Sequence, residues 1–155
     1  MKETGLIQIT ALVPQDAAEL EELEGLTNLC YWGMEHYKRF LQQSEYFGCK
    51  AAAAIRSDGN RMVGFFFARA ILENLELLKI GVYPDFQRLG VGALLLQAAF
   101  VEGLRRGCLR CFLEVRKSNE GAIQFYYGHQ FRIAGERTNY YTEPLEDAWI
   151  MERWL

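Results

Sequence analysis

Short apolar stretches, the first of them with alternating apolar and polar positions, run through the first half of the chain and predict β-strands. The predicted strands are Leu6–Leu12, Cys49–Arg56, Met62–Ile71 and Leu75–Val82, with a hairpin turn at Ser57–Asn60. Between the first two strands, apolar residues at helical spacing predict the helices Asp16–Glu24, with Asp16 as its cap, and Glu35–Gln43. We expect the acidic side chains of the first helix to form a solvated face: Glu19, Glu21, Glu22 and Glu24.

In the second half of the chain, helical and strand patterns follow one another in turn. The predicted helices are Gly92–Arg106 and Glu120–His129, and the predicted strands are Cys108–Val115, Phe131–Tyr140 and Asp147–Trp154. A strand, a helix and a strand in succession are typical of a crossover between parallel strands. The antiparallel meander of the first half followed by this crossover predicts an α/β fold with a mixed sheet.

Length, composition and net charge limit the classes of protein to which this chain can belong. The 155 residues predict one domain covering 1–155, and a hydrophobic fraction of 50% excludes a disordered chain. The net charge of −3 argues against a general nucleic-acid binder, which needs a basic face to displace counterions from phosphates. We therefore expect no nucleic acid among the partners.

The sequence also predicts a cytoplasmic protein without a membrane partner. The stretch Met1–Gly5 lacks the features of a signal peptide, and no run approaches ~18 consecutive apolar residues. The four cysteines are then expected to be free thiols. Cys108 and Cys111 form a C-x-x-C pair, but a strand directs side chains three apart to opposite faces, and a second ligand pair for zinc is not visible.

A strand followed by a glycine-spaced loop and a long helix predicts an anion site at Ile80–Ala93. A helix N-terminus has about four unpaired N–H donors and an effective positive charge of roughly half a unit. Gly90 and Gly92 lack a Cβ, so a diphosphate can approach the backbone, and Arg88 adds a positive charge. In the alternative interpretation, the glycines only permit a tight turn between strand and helix.

Several motifs in one order resemble the GNAT acetyltransferases. Gln87-x-x-Gly90-x-Gly92 resembles the acetyl-CoA loop of that superfamily. The segments after it resemble, more narrowly, the RimI-type ribosomal-protein alanine N-acetyltransferases: Leu113-Glu114-Val115-Arg116-x-Ser118-Asn119, Ala122-Ile123-x-x-Tyr126, Arg137-x-Asn139-Tyr140-Tyr141 and Glu146-Asp147-Ala148-x-Ile150-Met151. The resemblance runs from about Leu75 to Met151 and implies a GNAT-like fold.

The resemblance implies acetyl-CoA as the cofactor, and no metal. It assigns the following residues to cofactor binding: Ile80, Gly81, Val82, Gln87, Arg88, Leu89, Gly90, Val91, Gly92, Ala93 and Asn119. Asn119 is also expected to cap the helix that follows it. Because a strand that binds a ligand cannot pair fully with its neighbour, we expect the sheet to splay between Leu75–Val82 and Cys108–Val115.

By the same resemblance, Glu114 is the general base and Tyr126 the general acid of acetyl transfer. In the alternative interpretation, Glu114 is a structural carboxylate paired with Arg110 or Arg116, with Glu76 and, more weakly, Glu73 as rival bases. Tyr126 would then be a core aromatic, and its neighbour Tyr127 offers a second phenol.

The acceptor implied by the resemblance is a protein N-terminus, that of a ribosomal protein among the candidates. Tyr140 and Tyr141 are expected to grip a peptide backbone; in the alternative interpretation they are ordinary surface aromatics of a hairpin. An α-amine has a pKa about 2.5 units below that of lysine, so freeing its lone pair at pH 7 costs roughly 3.4 kcal/mol less. The alternatives are a small amine or polyamine acceptor, with carboxylates from Glu35, Glu45 or Glu73, and a non-catalytic acyl-CoA-binding module.

Two segments depart from the family pattern. Gln130 replaces the glycine that usually precedes the phenylalanine after the last helix, so either Gly128 takes the left-handed conformation or Gln130 is strained. The segment Thr27–Phe47, which the resemblance implies is one wall of the acceptor slot, does not match closely. His36 and His129 have no partner constellation in the sequence and are expected to be structural.

Overall fold

The computed structural model describes residues 6–27, 29–55 and 59–155, and within them the chain forms a mixed α/β sheet. The elements in chain order are β1 (Gln8–Ala11), α1 (Ala17–Leu26), α2 (Met34–Phe40), β2 (Tyr46–Ile55), β3 (Gly59–Ile71), β4 (Asn74–Val82), α3 (Val91–Arg105), β5 (Arg110–Arg116), α4 (Glu120–Gly128), β6 (Arg132–Thr142) and β7 (Leu145–Trp154). Short 3₁₀ turns cover Pro14–Asp16 and Pro84–Phe86. The predicted fold class is confirmed.

The strands are hydrogen-bonded in the order β1-β2-β3-β4-β5-β7-β6. Neighbouring strands β1 and β2, and β2 and β3, are antiparallel, whereas β4 and β5 are parallel. The last strand, β7, lies between β5 and β6 and is antiparallel to both. This order matches the predicted meander followed by one parallel crossover.

All the predicted strands and helices occur, and the differences lie at their ends. The second helix ends at Phe40 rather than Gln43, and β2 begins at Tyr46, three residues before the predicted start. The predicted turn Ser57–Asn60 lies partly outside the described residues, and its described part, Gly59 and Asn60, belongs to β3. The N-terminal stretch Met1–Gly5 lies wholly outside them. Boundaries shift more than element types because the ends of helices and strands depend on local caps.

The chain divides into two compact units. The first comprises the residues up to Arg69 together with Leu77–Glu102, and the second comprises Ala70–Glu76 with Gly103–Leu155. In the first unit, helices α1 and α2 bury apolar side chains against β3, with Leu20, Leu23, Tyr37, Phe65 and Phe67 in one cluster. In the second unit, buried side chains from β5, β7 and α4 form the core: Cys111, Leu113, Met151, Ile123 and Tyr126.

Asp16 does not cap α1 with its side chain, so this prediction is wrong. Its Oδ2 accepts a hydrogen bond from the backbone N–H of Val13 at 2.9 Å, and its Oδ1 lies 2.5 Å from Lys50 Nζ. The 3₁₀ turn at Pro14–Asp16 already leads the chain into the helix, so the carboxylate is left to join the turn to β2.

The acidic face predicted for α1 is only partly solvated. Glu19 and Glu22 are exposed, and Glu21 is half-buried. Glu24 is 0% exposed, which contradicts the prediction for this residue. It lies one position after Leu23, at the edge of the buried helix face. A carboxylate buried there needs a partner from another part of the fold to offset the loss of hydration.

The parallel ladder between β4 and β5 is short. It consists of the pairs Asn74–Arg110, Leu75–Cys111 and Glu76–Phe112, all within the second unit. The ladder is therefore not continuous along the two strands, and the predicted interruption of their pairing is confirmed.

Helix α4 ends in a Schellman motif whose left-handed residue is Gln130. Phe131 N–H donates to Tyr126 O and Gln130 N–H donates to Tyr127 O, both at 3.0 Å, and Gln130 has a φ of +68°. Helix α3 ends in the same motif, with Gly107 at φ +84° in the equivalent position. Gly128 does not have a positive φ, so of the two alternatives raised by the sequence the strained Gln130 is the correct one.

Replacing Gln130 with glycine is therefore expected to stabilise the protein. A left-handed conformation costs an L-residue roughly 1–2 kcal/mol. The extra backbone freedom of glycine in the unfolded chain returns about 0.5–1 kcal/mol of this. Urea unfolding of Gln130→Gly should show a free energy of unfolding higher by about 1 kcal/mol. The reciprocal variant Gly107→Gln should lose a similar amount; a Gln130→Gly protein less stable than the wild type would contradict the assignment.

Candidate active site

The loop between β4 and α3 leads the chain into the helix through two residues in the left-handed conformation. Strand β4 ends at Val82, Pro84 starts a 3₁₀ turn, and helix α3 begins at Val91. Two residues just before the helix have positive φ, Arg88 at +59° and Gly90 at +84°. They turn the chain so that it enters the helix with residues 87–90 exposed.

The N-terminus of α3 has backbone donors available. Its first intrahelical hydrogen bond runs from Leu94 N–H to Gly90 O at 3.1 Å, so the N–H groups of Val91, Gly92 and Ala93 precede it. The side chain of Val91 is only 2% exposed and fixes the start of the helix in the core of its unit. A diphosphate suits the positive charge of a helix N-terminus and its first backbone N–H groups, and Arg88 in the preceding loop adds a positive charge.

Gln87 has a structural role in this loop. Its Nε2 donates to Val82 O at 3.0 Å, which joins the loop to the end of β4. The same side chain retains a carbonyl oxygen, so its predicted contribution to cofactor binding stays a prediction.

Strand β4 presents backbone groups on the edge away from β3. Tyr83 N–H donates to Val63 O at 2.7 Å, which assigns Tyr83 to the β3 side. Since the hydrogen-bonding direction alternates along an antiparallel strand, the backbone groups of Ile80 and Val82 point to the opposite edge. Gly81 is buried, and a Cβ there would lie 3.0 Å from Leu29 Cδ1 and 3.1 Å from Thr27 Oγ1.

Glu114 lies on β5, in the second unit, and has an arginine partner that the sequence analysis missed. Its Oε1 accepts a hydrogen bond from Arg137 Nε at 3.0 Å. The predicted partners are engaged elsewhere, Arg110 with Glu152 at 2.6 Å and Arg116 with Glu146 at 3.3 Å. Arg137 is separated from Glu114 by 23 positions and lies on β6, so no local pattern could have indicated the pair.

Tyr126 is a buried phenol on α4. It is 7% exposed, and its ring centroid lies 5.5 Å from that of Phe131. Burial raises the pKa of Tyr126 above its ordinary value, with smaller contributions from Cys111 and Tyr141. The group therefore stays protonated at neutral pH and can donate a hydrogen bond. Tyr127, the alternative phenol, is 43% exposed.

Asn119 caps helix α4, as predicted. Its Oδ1 accepts a hydrogen bond from Ala122 N–H at 3.2 Å. The cap fixes the first turn of the helix that carries Tyr126. Its predicted contact with the cofactor stays a prediction.

Tyr140 and Tyr141 follow a bulge in β6. Two extra residues of β6 lie between Arg137, which faces Ala148, and Tyr141, which faces Glu146. The bulge is held by Asp147, whose Oδ1 accepts a hydrogen bond from Asn139 N–H at 2.8 Å. The two tyrosine rings contact each other edge to face, with centroids 5.0 Å apart.

Arginine side chains bring these tyrosines together with Glu114. The Cζ of Arg137 lies 5.7 Å from the ring centroid of Tyr140, and that of Arg116 lies 4.1 Å from the ring centroid of Tyr141. Arg116 shares a face of β5 with Glu114 because the two are two residues apart on a strand. The second unit thus groups the predicted base with both predicted acceptor-binding tyrosines.

The rival carboxylates lie at the start of β4. Glu73 is exposed in the turn before the strand, and its carbonyl accepts hydrogen bonds from Leu109 N–H and Arg110 N–H at 2.7 and 3.2 Å. Glu76 pairs in register with Phe112, two residues before Glu114.

Among the described residues, no group of three or more His, Cys, Asp and Glu side chains is placed to hold a metal ion. In the same residues, no helix is long and apolar enough to cross a bilayer.

Comparisons with known proteins agree with this geometry. The profile of the Acetyltransferase (GNAT) family matches residues 17–130. The ribosomal protein bS18-alanine N-acetyltransferase of Salmonella typhimurium is 42% identical over 94 residues, which cover 59% of this chain and 64% of that protein. The Escherichia coli enzyme of the same name is matched over 66% of its length, so the chain spans just under two thirds of both relatives. The Haemophilus ducreyi protein of that name is 30% identical over 95% of this chain and 99% of its own length.

Solved structures show the same fold. The crystal structure of the ribosomal-protein-S18-alanine N-acetyltransferase from Escherichia coli has a TM-score of 0.83 and 30% identity, covering 96% of this chain and 94% of that one. Arabidopsis thaliana NAA60 in complex with acetyl-CoA has a TM-score of 0.87 at 17% identity, covering 97% and 99% of the two chains, and supports the fold alone. The chain belongs to the GNAT family of acetyltransferases.

Proposed function

We propose that this protein is an acetyl-CoA-dependent N-acetyltransferase whose acceptor is the N-terminal α-amine of a protein. The observation that carries the proposal is that the second unit contains both a carboxylate held by an arginine, Glu114, and a buried phenol, Tyr126. A module that only bound acyl-CoA would need neither group.

The first unit is proposed to bind the cofactor. Its diphosphate would accept hydrogen bonds from the α3 amides of Val91, Gly92 and Ala93, with Arg88 supplying charge. The acetyl and pantetheine groups would meet the backbone groups of Ile80 and Val82. Acetyl-CoA supplies the activated acetyl group as a thioester.

The second unit is proposed to move the protons. The amine must lose a proton before its lone pair can attack the thioester carbonyl carbon, and Glu114 accepts that proton directly or through water. The C–N bond forms as the C–S bond breaks, and the electron pair leaves with sulfur. Arg137 donates a hydrogen bond to Glu114 and so fixes the orientation of its carboxylate. Tyr126 is a neutral phenol at pH 7, and its hydroxyl donates a hydrogen bond to the departing thiolate, a bond that strengthens as negative charge develops on sulfur.

The acceptor is proposed to contact Tyr140 and Tyr141. Their hydroxyl groups can hydrogen-bond a peptide backbone, and the arginines against their rings restrict their rotation. The relatives named for the alanine N-terminus of ribosomal protein bS18 favour a ribosomal-protein acceptor, and hence a cytoplasmic reaction.

The acceptor class can be tested with a panel of amines. We expect acetyl-CoA turnover, measured as release of free CoA, with a peptide that begins with a free alanine. The same peptide with a blocked N-terminus and one internal lysine is the matched control and should react more slowly, since the lysine amine is more protonated at pH 7. Turnover confined to polyamines such as spermidine would overturn the peptide assignment.

The cofactor site can be tested with two glycines in the same conformation. Gly90 and Gly107 flank helix α3 at a φ of +84°, and an added Cβ meets open space at both. Alanine at either position should therefore cost the same backbone strain of about 1–2 kcal/mol, measured by urea unfolding. Only Gly90→Ala should also weaken CoA binding, by about tenfold in calorimetry, because it moves the α3 amides. Equal CoA affinity in the two variants would place the diphosphate elsewhere.

The acid can be tested with two neighbouring phenols. Tyr126→Phe should lower kcat by about 10²-fold or more while leaving the acetyl-CoA dissociation constant unchanged, because it removes one proton donor and no binding surface. Tyr127→Phe, at the exposed neighbour, should leave both unchanged. Wild-type turnover by Tyr126→Phe would remove this residue from the mechanism.

A further inference from the structure

The first unit contains a buried ion pair that the proposed chemistry does not use. Glu24 at the end of α1 is 0% exposed and Lys79 on β4 is 6% exposed, and Lys79 Nζ donates to Glu24 Oε1. Burial lowers the pKa of Lys79, and the adjacent Glu24 carboxylate opposes that shift. Two charges removed from water need several further partners before such a pair is tolerated.

The further partners come mainly from one short segment, Leu29–Gly33, which we name the cover segment. Glu24 accepts hydrogen bonds from Trp32 N–H at 3.0 Å and from Gly33 N–H at 3.2 Å. Lys79 also donates to Cys30 O, and its Nζ lies 4.2 Å from the ring centroid of Trp32. The pair therefore fixes both the backbone and one side chain of the cover segment.

One hydroxyl group from α2 completes the cluster. Tyr37 is fully buried, and its hydroxyl donates to Glu24 Oε1 at 3.0 Å. The carboxylate thus receives bonds from α2, β4 and the cover segment at once. Replacement of the carboxylate by an apolar side chain would release all three.

The cover segment lies over the part of β4 assigned to the acetyl group. Gly81 is two residues after Lys79, and Leu29 would contact any side chain placed there at 3.0 Å. The flanking residues Ile80 and Val82 present their backbone groups on the open edge of the strand. On the cover segment itself, Tyr31 is 73% exposed and so faces solvent rather than the core.

We propose that Glu24 and Lys79 are positioning residues that hold the cover segment against β4 and so set the affinity for the acceptor amine. This inference rests on the proposed function, because it takes the strand at Gly81 as the place where acetyl is delivered. The phosphates are assigned to the separate loop at 88–93. Release of the cover segment should therefore affect acceptor binding more than cofactor binding.

The test uses a double variant that leaves no buried charge without a partner. Glu24→Leu with Lys79→Met replaces the pair by apolar side chains of similar size, a change that buried ion pairs often tolerate. Its control is Lys38→Met, which removes an exposed ion pair with Glu35 on α2 in the same unit. A third variant, Glu24→Gln with Lys79→Met, retains an oxygen that can accept from the cover segment.

The first measurement does not depend on activity. Amide hydrogen exchange of Trp32 and Gly33 should be at least about tenfold faster in the Leu/Met variant, intermediate in the Gln/Met variant, and unchanged in Lys38→Met. Unchanged exchange in a folded Leu/Met variant would overturn the proposal. Faster exchange spread evenly over α1, α2 and β4 would also overturn it, because such a pattern indicates a general loss of stability.

The second measurement separates acceptor from cofactor. In the Leu/Met variant the KM for the alanine peptide should rise about tenfold, because misplaced binding groups lower affinity by that factor or more. The kcat and the acetyl-CoA dissociation constant should be unchanged. The Gln/Met variant should recover part of the loss. An unchanged peptide KM, or a loss confined to acetyl-CoA binding, would overturn the proposal. Absence of peptide turnover in the wild type would instead refute the proposed function, and exchange would still decide whether the pair holds the segment.

Discussion

Strand β4 carries the constraint on which the rest of the structure depends, namely that each backbone polar group needs a partner. Its parallel ladder with β5 ends at Glu76, while Tyr83 remains bonded to Val63. Between these points lies the edge of the strand that we propose as the contact for the acetyl and pantetheine groups. The end of the strand is secured by Gln87, which bonds Val82 and leads the chain into α3. The proposed cofactor site thus combines a strand that stops pairing early with the helix N-terminus that follows it.

Two ion pairs show how the same chemical groups serve different purposes in different surroundings. The pair between Glu114 and Arg137 is partly exposed, so water screens it and its contribution to stability is modest, ~0.2–1 kcal/mol. It leaves the carboxylate partly accessible, as the proposed role of Glu114 as a base requires. The pair between Glu24 and Lys79 is enclosed and is surrounded by further donors. Its enclosure makes it unsuited to proton exchange with a substrate and well suited to holding a loop.

Whether a prediction from the sequence was correct depends on how far apart along the chain the interacting residues are. The cap at Asn119 and the end of α3 at Gly107 depend on residues a few positions away, and the sequence predicts both. Asp16 was predicted as a similar cap, yet its carboxylate contacts Lys50, 34 positions away. Glu24 was predicted to face solvent because its neighbours in the sequence are acidic, whereas its partner Lys79 comes from a strand 55 positions later. Local patterns contain no information about such partners.

By itself, the sequence determined the α/β class, the glycine-spaced loop, and the order of motifs that includes Glu114 and Tyr126. These depend on periodicity and on residue types that must stand close together along the chain. Only the tertiary structure decided that Arg137 holds Glu114, that Tyr126 rather than Tyr127 is buried, and that Gln130 takes the left-handed turn. The physical reason is that burial and ion pairing are set by side chains that become neighbours only when distant strands and helices pack together.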